Sequence, residues 1–265
     1  MSGKVSVKKR ILIKIGGRAF ADEDGFRELA AAVQNVDADV VIVHGGGAEI
    51  SQALKDAKRE TVFVDGVRVT QQEDVDIVER VLSETVNSRI ADYLQKYGAP
   101  VQRMSGKTDA LLIDKRTLRN GKDIGLVGEI VQVNPRAVFA ALDNGRSPVV
   151  SPISADESGV TFNVNADSAA AALAVGAQCS DLVYFSDVPG VLDEQRQLVP
   201  SLSVEAGKFL MQTGIISGGM VAKMESIIDA IENGVERVHI TQWQGADTLK
   251  NLGNGGGLLK TTIHK

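Results

Sequence analysis

The chain has 265 residues, 43% hydrophobic and 24% charged, which suffices for a full core and lies outside the ranges of disordered, collagen-like or coiled-coil sequences. Its net charge of −5 and isoelectric point near 5.3 exclude a general nucleic-acid or anionic-membrane binder, which needs a surplus of Lys and Arg. The single cysteine, Cys179, allows no intrachain disulfide, and the apolar stretch after the basic start is broken at Lys14, too short for a signal segment or a span, so the expectation is a cytoplasmic protein.

The first predicted strand, at 11–13, ends in ILIKIGG. A lysine at a strand end followed by two glycines lets backbone N–H groups approach an anion, with Lys14 adding a point charge. The same residues would also serve as a surface lysine and a turn. After a helical segment at 25–35 comes a strand at 40–43, then His44, three glycines and a helix over 48–57. A glycine loop feeding a helix N-terminus is a ready anion site, whereas His44 at a strand end reads as structural. VFVDGVRV (62–69) carries Asp-Gly between alternating apolar residues and predicts a hairpin. A long helical segment covers 73–97. Strand candidates at 101–104 and in the glycine-punctuated stretch to 133 read as several short antiparallel insertions.

A helix at 135–142 and a strand at 148–151 follow, then NVNAD before an alanine-rich helix over 166–175. The alternation of Asn163 and Asn165 ahead of Asp167 suits a ligand site, though Asp167 also fits an ordinary helix N-terminus. Past a mild break near 176, the strand at 182–185 runs into SDVPGVLD, which suits a nucleotide-edge loop or a plain turn. Helices at 203–213 and 219–232 complete the pattern. In the last, Ser217 and the glycines sit where a cap belongs, and Lys223 lies off the apolar face in what reads as the first turn, where only a bound anion makes a cation welcome. Short apolar runs alternating with helices specify an α/β fold with a mainly parallel sheet and helices on both faces. A P-loop, a dinucleotide fingerprint and protein-kinase signatures are all missing from the sequence.

Taken in order, IKIGG (13–17), VHGGG (43–47), VDGVRVT (64–70), VGEI (127–130), NVNAD (163–167), SDVPGVLD (186–193) and GGMVAK (218–223) resemble the amino acid kinase family over nearly the whole chain. The resemblance implies an open αβα sandwich. Its N-terminal lobe, residues 1–176, would bind an acyl amino acid and dimerise, and its C-terminal lobe, residues 177–265, would bind ATP. It implies transfer of the γ-phosphoryl group of ATP to a carboxylate, with magnesium carried by the nucleotide and no resident metal. DGVRVT points within the family to N-acetyl-L-glutamate as acceptor, a step of arginine biosynthesis.

Carried onto this sequence, Lys14 and Lys223 become the transition-state cations and Asp167 the group that orients them. Gly16 and Gly17 would cradle the nucleotide phosphates, and Gly46, Gly47, Arg68 and Asn163 would hold the acceptor. The segments Asp187, Val188, Pro189, Gly190, Val191, Leu192 and Ile215, Ile216, Ser217 would hold the nucleotide. Only about ten residues precede the first strand, and arginine-inhibited hexameric relatives carry a further N-terminal helix, so an arginine-insensitive homodimer is expected. The loop SGKTDALL (105–112) departs from the usual family spacing. A carboxylate kinase for aminoadipate or aspartate and a non-catalytic nucleotide-binding regulator are the competing expectations.

Overall fold

The computed structural model describes residues 8–16, 20, 22–119, 121–252 and 257–265. In chain order the elements are β1 (Arg10–Ile15), α1 (Glu23–Asn35), β2 (Asp39–His44), α2 (Gly47–Asp56), β3 (Phe63–Val64), β4 (Val67–Arg68) and α3 (Val75–Arg80). A π-helical stretch, Val81–Val86, joins α3 to α4 (Asn87–Lys96). Then come β5 (Val101–Ser105), a π-turn at Gly106–Ala110, β6 (Leu111–Arg119), β7 (Lys122–Val133), α5 (Arg136–Asp143), β8 (Ser147–Ser151), β9 (Ile153–Ala155) and β10 (Thr161–Asn163). The chain ends with α6 (Ala166–Gly176), β11 (Asp181–Phe185), β12 (Ser201–Ser203), α7 (Val204–Gln212), α8 (Gly219–Glu232), β13 (Arg237–Thr241) and β14 (Lys260–His264).

An eight-stranded sheet in the order β12-β14-β13-β11-β1-β2-β8-β5 forms the middle layer. Its pairs are parallel except β13 with β14. Each central strand is apolar on both sides because each faces a helical layer. Ile11 and Ile13 of β1 pack with α1, α2 and α4, while Leu12 packs on the other side with α6 and α8. This is the αβα arrangement expected from the alternating pattern. Side chains start α1 and α7: Asp22 Oδ1 accepts from Gly25 N at 2.9 Å, and Ser203 Oγ accepts from Ala206 N at 3.1 Å. No helix among the described residues is long and apolar enough to cross a membrane.

The Asp-Gly hairpin forms as predicted: Asp65 (φ 48°) and Gly66 (φ 76°) both take the left-handed conformation that a tight two-residue turn between β3 and β4 demands. Its base is fastened to β7, where Leu126 N donates to Thr70 O at 2.7 Å and Thr70 N donates to Ile124 O at 3.1 Å. Gly125 makes this approach possible, since a Cβ there would lie 2.2 Å from Thr70 O, and its φ of +71° is a glycine conformation.

The 101–133 region departs from its sequence reading. β5 is a parallel member of the main sheet, and the remainder is one long antiparallel pair, β6–β7, with register shifts at Leu112/Ile113 and Arg116/Leu118. Gly121 (φ 76°) makes the turn, while Gly128 lies inside β7 in regular register with Lys115, so a glycine marks a break at one position and a continuing strand at the other. β6, β7, β9 and β10 form a second sheet that closes on itself beside the hairpin. The strands β13 and β14 escaped the sequence reading because their polar residues are not on a solvent face. His239 is buried in β13, bonded to Asp181 of β11 at 3.1 Å and Thr262 of β14 at 3.0 Å.

Candidate active site

At the carboxyl ends of the central strands three charged side chains meet. Lys14 is the penultimate residue of β1, Asp167 sits in the first turn of α6, and Lys223 projects from α8. Lys223 Nζ donates to Asp167 Oδ2 at 2.6 Å. Lys14 Nζ lies 2.8 Å from Oδ1, a close ion pair though outside hydrogen-bond geometry. All three are largely buried, with side-chain exposures of 11–17%. Asn165 starts α6 by accepting from the N–H groups of Asp167 and Ser168 at 2.8 and 3.2 Å, which fixes the helix turn that carries the carboxylate.

Burial pushes the Asp167 carboxyl upward, but the Lys14 and Lys223 charges outweigh it and hold the pKa down to about 2. Asp167 is therefore an anion at neutral pH and a poor base. Burial lowers the Lys223 pKa, with Lys14 acting in the same direction and Asp167 opposing. One carboxylate shared between two ammoniums leaves a surplus positive charge in a desolvated place, which an incoming anion would neutralise. Lys223 is the fifth residue of α8, past the first turn where its sequence reading placed it. Ser217 does not cap that helix either: the cap residue is Gly218 (φ 59°), without a side-chain bond.

The glycine run Gly45–Gly47 crosses from β2 to α2. Gly45 N donates to Ile15 O at 2.9 Å, tying the run to the end of β1. His44 holds it from below. Its Nδ1 is 2.7 Å from Gly45 O and must donate, which leaves Nε2 to accept from Asn87 Nδ2 at 3.1 Å. Burial drives the His44 pKa down to about 4, so the ring is neutral and structural, as its strand-end position suggested. Gly46 packs closely on the π-helical stretch, since a Cβ there would lie 2.7 Å from Leu82 Cδ2 and would force that side chain to shift.

Arg68 enters from the hairpin. Its Nη2 donates to Gly47 O at 2.8 Å and Ser51 Oγ at 2.9 Å, and its guanidinium lies 4.8 Å from the Phe63 ring centroid. It is only 7% exposed, and no carboxylate among the described residues pairs with it. Asn163 Nδ2 donates to Thr70 Oγ1 at 2.9 Å, leaving its carbonyl for another partner. Lys14, Gly16, Gly46, Gly47, Arg68, Asn163 and Asp167 all line one cavity of about 230 Å³. Lys223 is not in its wall and reaches it through Asp167.

Among the described residues, the remaining sequence-predicted ones do not line this cavity. Asp187 is exposed beyond β11, with Gln242 Nε2 donating to its backbone carbonyl at 2.8 Å. Val188 and Pro189 are half-buried, Gly190 is packed against Thr261, and Val191 is buried, its N–H donating to Thr261 Oγ1 at 2.8 Å. Leu192 bridges to Leu198. Ile215 is half-buried, Ile216 belongs to the core, and Ser217 is exposed. Val191 and Ile216 can thus offer a ligand little beyond their backbone. Gly17 lies outside the described residues. The sequence reading passed over Ser51, Phe63, Thr70 and Tyr184, which hold the site residues in place but sit in unremarkable local contexts.

Comparisons with known proteins bear on the family and the fold. The amino acid kinase family profile matches residues 9–242. The acetylglutamate kinase of Rhodospirillum rubrum is 38% identical over 239 residues, covering 85% of this chain and 77% of its own. That of Caldanaerobacter subterraneus subsp. tengcongensis is 39% identical over 238 residues, covering 88% and 79%. Among solved structures, smu.665 from Streptococcus mutans superposes with a TM-score of 0.82 at 25% identity, covering 97% of this chain and 99% of that one. The N-acetylglutamate synthase of Neisseria gonorrhoeae superposes at 0.84 with 23% identity; this chain spans 97% of itself but 59% of that longer chain, and the likeness is one of fold. With the profile matching most of the chain and relatives above 30% identity covering more than four fifths of it, the chain belongs to the amino acid kinase family.

Proposed function

We propose that this protein catalyses ATP-dependent phosphorylation of the γ-carboxylate of N-acetyl-L-glutamate, giving N-acetyl-L-glutamyl 5-phosphate and ADP in arginine biosynthesis. The observation that carries the reading is the buried Arg68, without a carboxylate partner among the described residues, facing the same cavity as the Lys14–Asp167 pair. A planar guanidinium suits the acceptor's α-carboxylate, and Asn163 suits its amide. The acceptor's γ-carboxylate, ionised at neutral pH with a pKa near ~4, needs no general base. One of its oxygens attacks the γ-phosphorus, the bond from that phosphorus to the β,γ-bridging oxygen breaks, and ADP departs with the electron pair. The protein's part is alignment and charge: Lys14 and Lys223 face the developing negative charge, and Asp167 holds them apart.

Both Asp167 oxygens are turned to lysines, so this carboxylate does not suit a resident metal. Magnesium then arrives on the nucleotide, where it neutralises phosphate charge. In this reading residues 1–176 carry the acceptor and dimerise, residues 177–265 carry ATP through 187–192 and 215–217, and the protein works as a homodimer. Light scattering returning the mass of two chains is the expected result for assembly.

Trapping of the acyl phosphate with hydroxylamine tests the reaction. Hydroxamate formed with N-acetyl-L-glutamate, ATP and magnesium is expected. Hydroxamate with aminoadipate or aspartate in its place would keep the chemistry and move the substrate. ATP binding without product from any acceptor would favour a regulator.

A further inference from the structure

Tyr184 of β11 touches two of the three charged residues at once. It is fully buried. Its hydroxyl donates to the backbone carbonyl of Asp167 at 3.0 Å, and Lys223 Nζ lies 4.6 Å from its ring centroid. Lys223 is desolvated beside a second ammonium and shares its one carboxylate with it. Such a cation needs further stabilisation to keep its proton. A second carboxylate would supply it but would cancel the surplus charge that draws in a phosphate. An aromatic face supplies negative potential without a full charge.

We propose that Tyr184 is a positioning residue for the phosphoryl transfer inferred above, its ring holding Lys223 as an aimed ammonium and its hydroxyl fixing the turn that carries Asp167. The inference rests on that functional reading. The groups acting on Lys223 are Asp167 from α6, Lys14 from β1 and the Tyr184 ring from β11, with Asp229 further along α8 acting on Tyr184. Burial, with Asp167 and Asp229 beside it, keeps the phenol's own pKa well above its ordinary value, so Tyr184 stays neutral where Lys223 titrates.

The test compares Tyr184→Leu, Tyr184→Phe and Tyr184→trifluorophenylalanine, the last keeping ring size while weakening its negative face. Two readouts are taken: kcat and acceptor KM across alkaline pH, and the Lys223 titration midpoint in carbon-13 lysine-labelled protein, assigned with Lys223→Arg. Tyr184→Leu is expected to lower kcat about tenfold with KM held within about twofold, and to lower the Lys223 midpoint by about one pH unit. Tyr184→Phe should restore the midpoint. The trifluoro variant should lower it again although the core remains filled, which a merely structural tyrosine would not do. Normal wild-type turnover with an unmoved midpoint in the Leu and trifluoro variants would overturn this inference alone. Wild-type protein that phosphorylates no acceptor would overturn the functional reading and this role with it.

Discussion

In the proposed reaction two lysines, one aspartate and one arginine divide the work at the residue scale, binding falling to the arginine and turnover to the lysines. Lys223, held at 2.6 Å by Asp167, has no other acceptor among the described residues, and in the proposed reaction it meets negative charge only as it develops. Lys223→Ala should therefore lower kcat at least about a hundredfold in a steady-state assay, while acceptor KM changes little. Arg68 behaves in the opposite way. Its fork already uses Nη2 on Gly47 O and Ser51 Oγ, so a lysine can copy the charge but not the plane. Arg68→Lys should raise acceptor KM about tenfold and leave kcat within a few-fold; an unchanged KM would remove Arg68 from the acceptor site. Lys14, Gly46, Gly47 and Asp167 were legible as candidates from their places beside strand ends, where a plain turn or helix start explained them as well, and Arg68 was legible only through the family resemblance. Tyr184 was not, because a buried tyrosine in an apolar strand looks like core until its hydroxyl and its ring are each seen to have a partner.

Among the elements, the β3–β4 hairpin matters most, because it carries Arg68 over the cavity and is itself only two residues per strand. Its precision comes from β7, through the Thr70 backbone bonds, and from β10, through the Asn163–Thr70 bond. Gly125→Ala would place a Cβ against Thr70 O in a left-handed conformation and should cost about 2 kcal/mol or more. Urea unfolding would measure that loss, and a rise in acceptor KM beside it would show that the hairpin had shifted. The turn itself was legible from Asp-Gly, since few dipeptides accept two successive positive φ values. The clamp was not, because nothing in the local sequence around Gly125 reveals that a carbonyl more than fifty residues away needs the space its side chain would fill.

For the molecule as a whole, pH links the site's scaffold to global stability. His44 has its pKa lowered from the ordinary 6.5 to about 4 by burial, so in that window the unfolded chain binds a proton that the folded one refuses. Stability contributed by this residue is full above pH 6.5 and is lost as pH falls toward 4, on the order of 3 kcal/mol in all. Asp167 adds a second loss below its ordinary 3.8, complete as pH passes about 2. Chemical denaturation from pH 7 to 4 should show the falling slope, and His44→Gln should flatten it. A His44→Gln variant with the wild-type slope would place the proton uptake elsewhere.

What the sequence determined by itself was the class of fold and the places where chemistry gathers. Hydrophobic period separates strands from helices, and the glycines and lysines at strand ends announce a site for anions. Tertiary structure decided everything that depends on partners far apart in the chain. It made β5 part of the main sheet, and it let β13 and β14 bury their polar residues against Asp181 and one another. Only the fold could bring Lys14, Asp167 and Lys223 within ion-pair distance across more than two hundred residues, because charge pairing acts through space and leaves no periodic trace in the sequence.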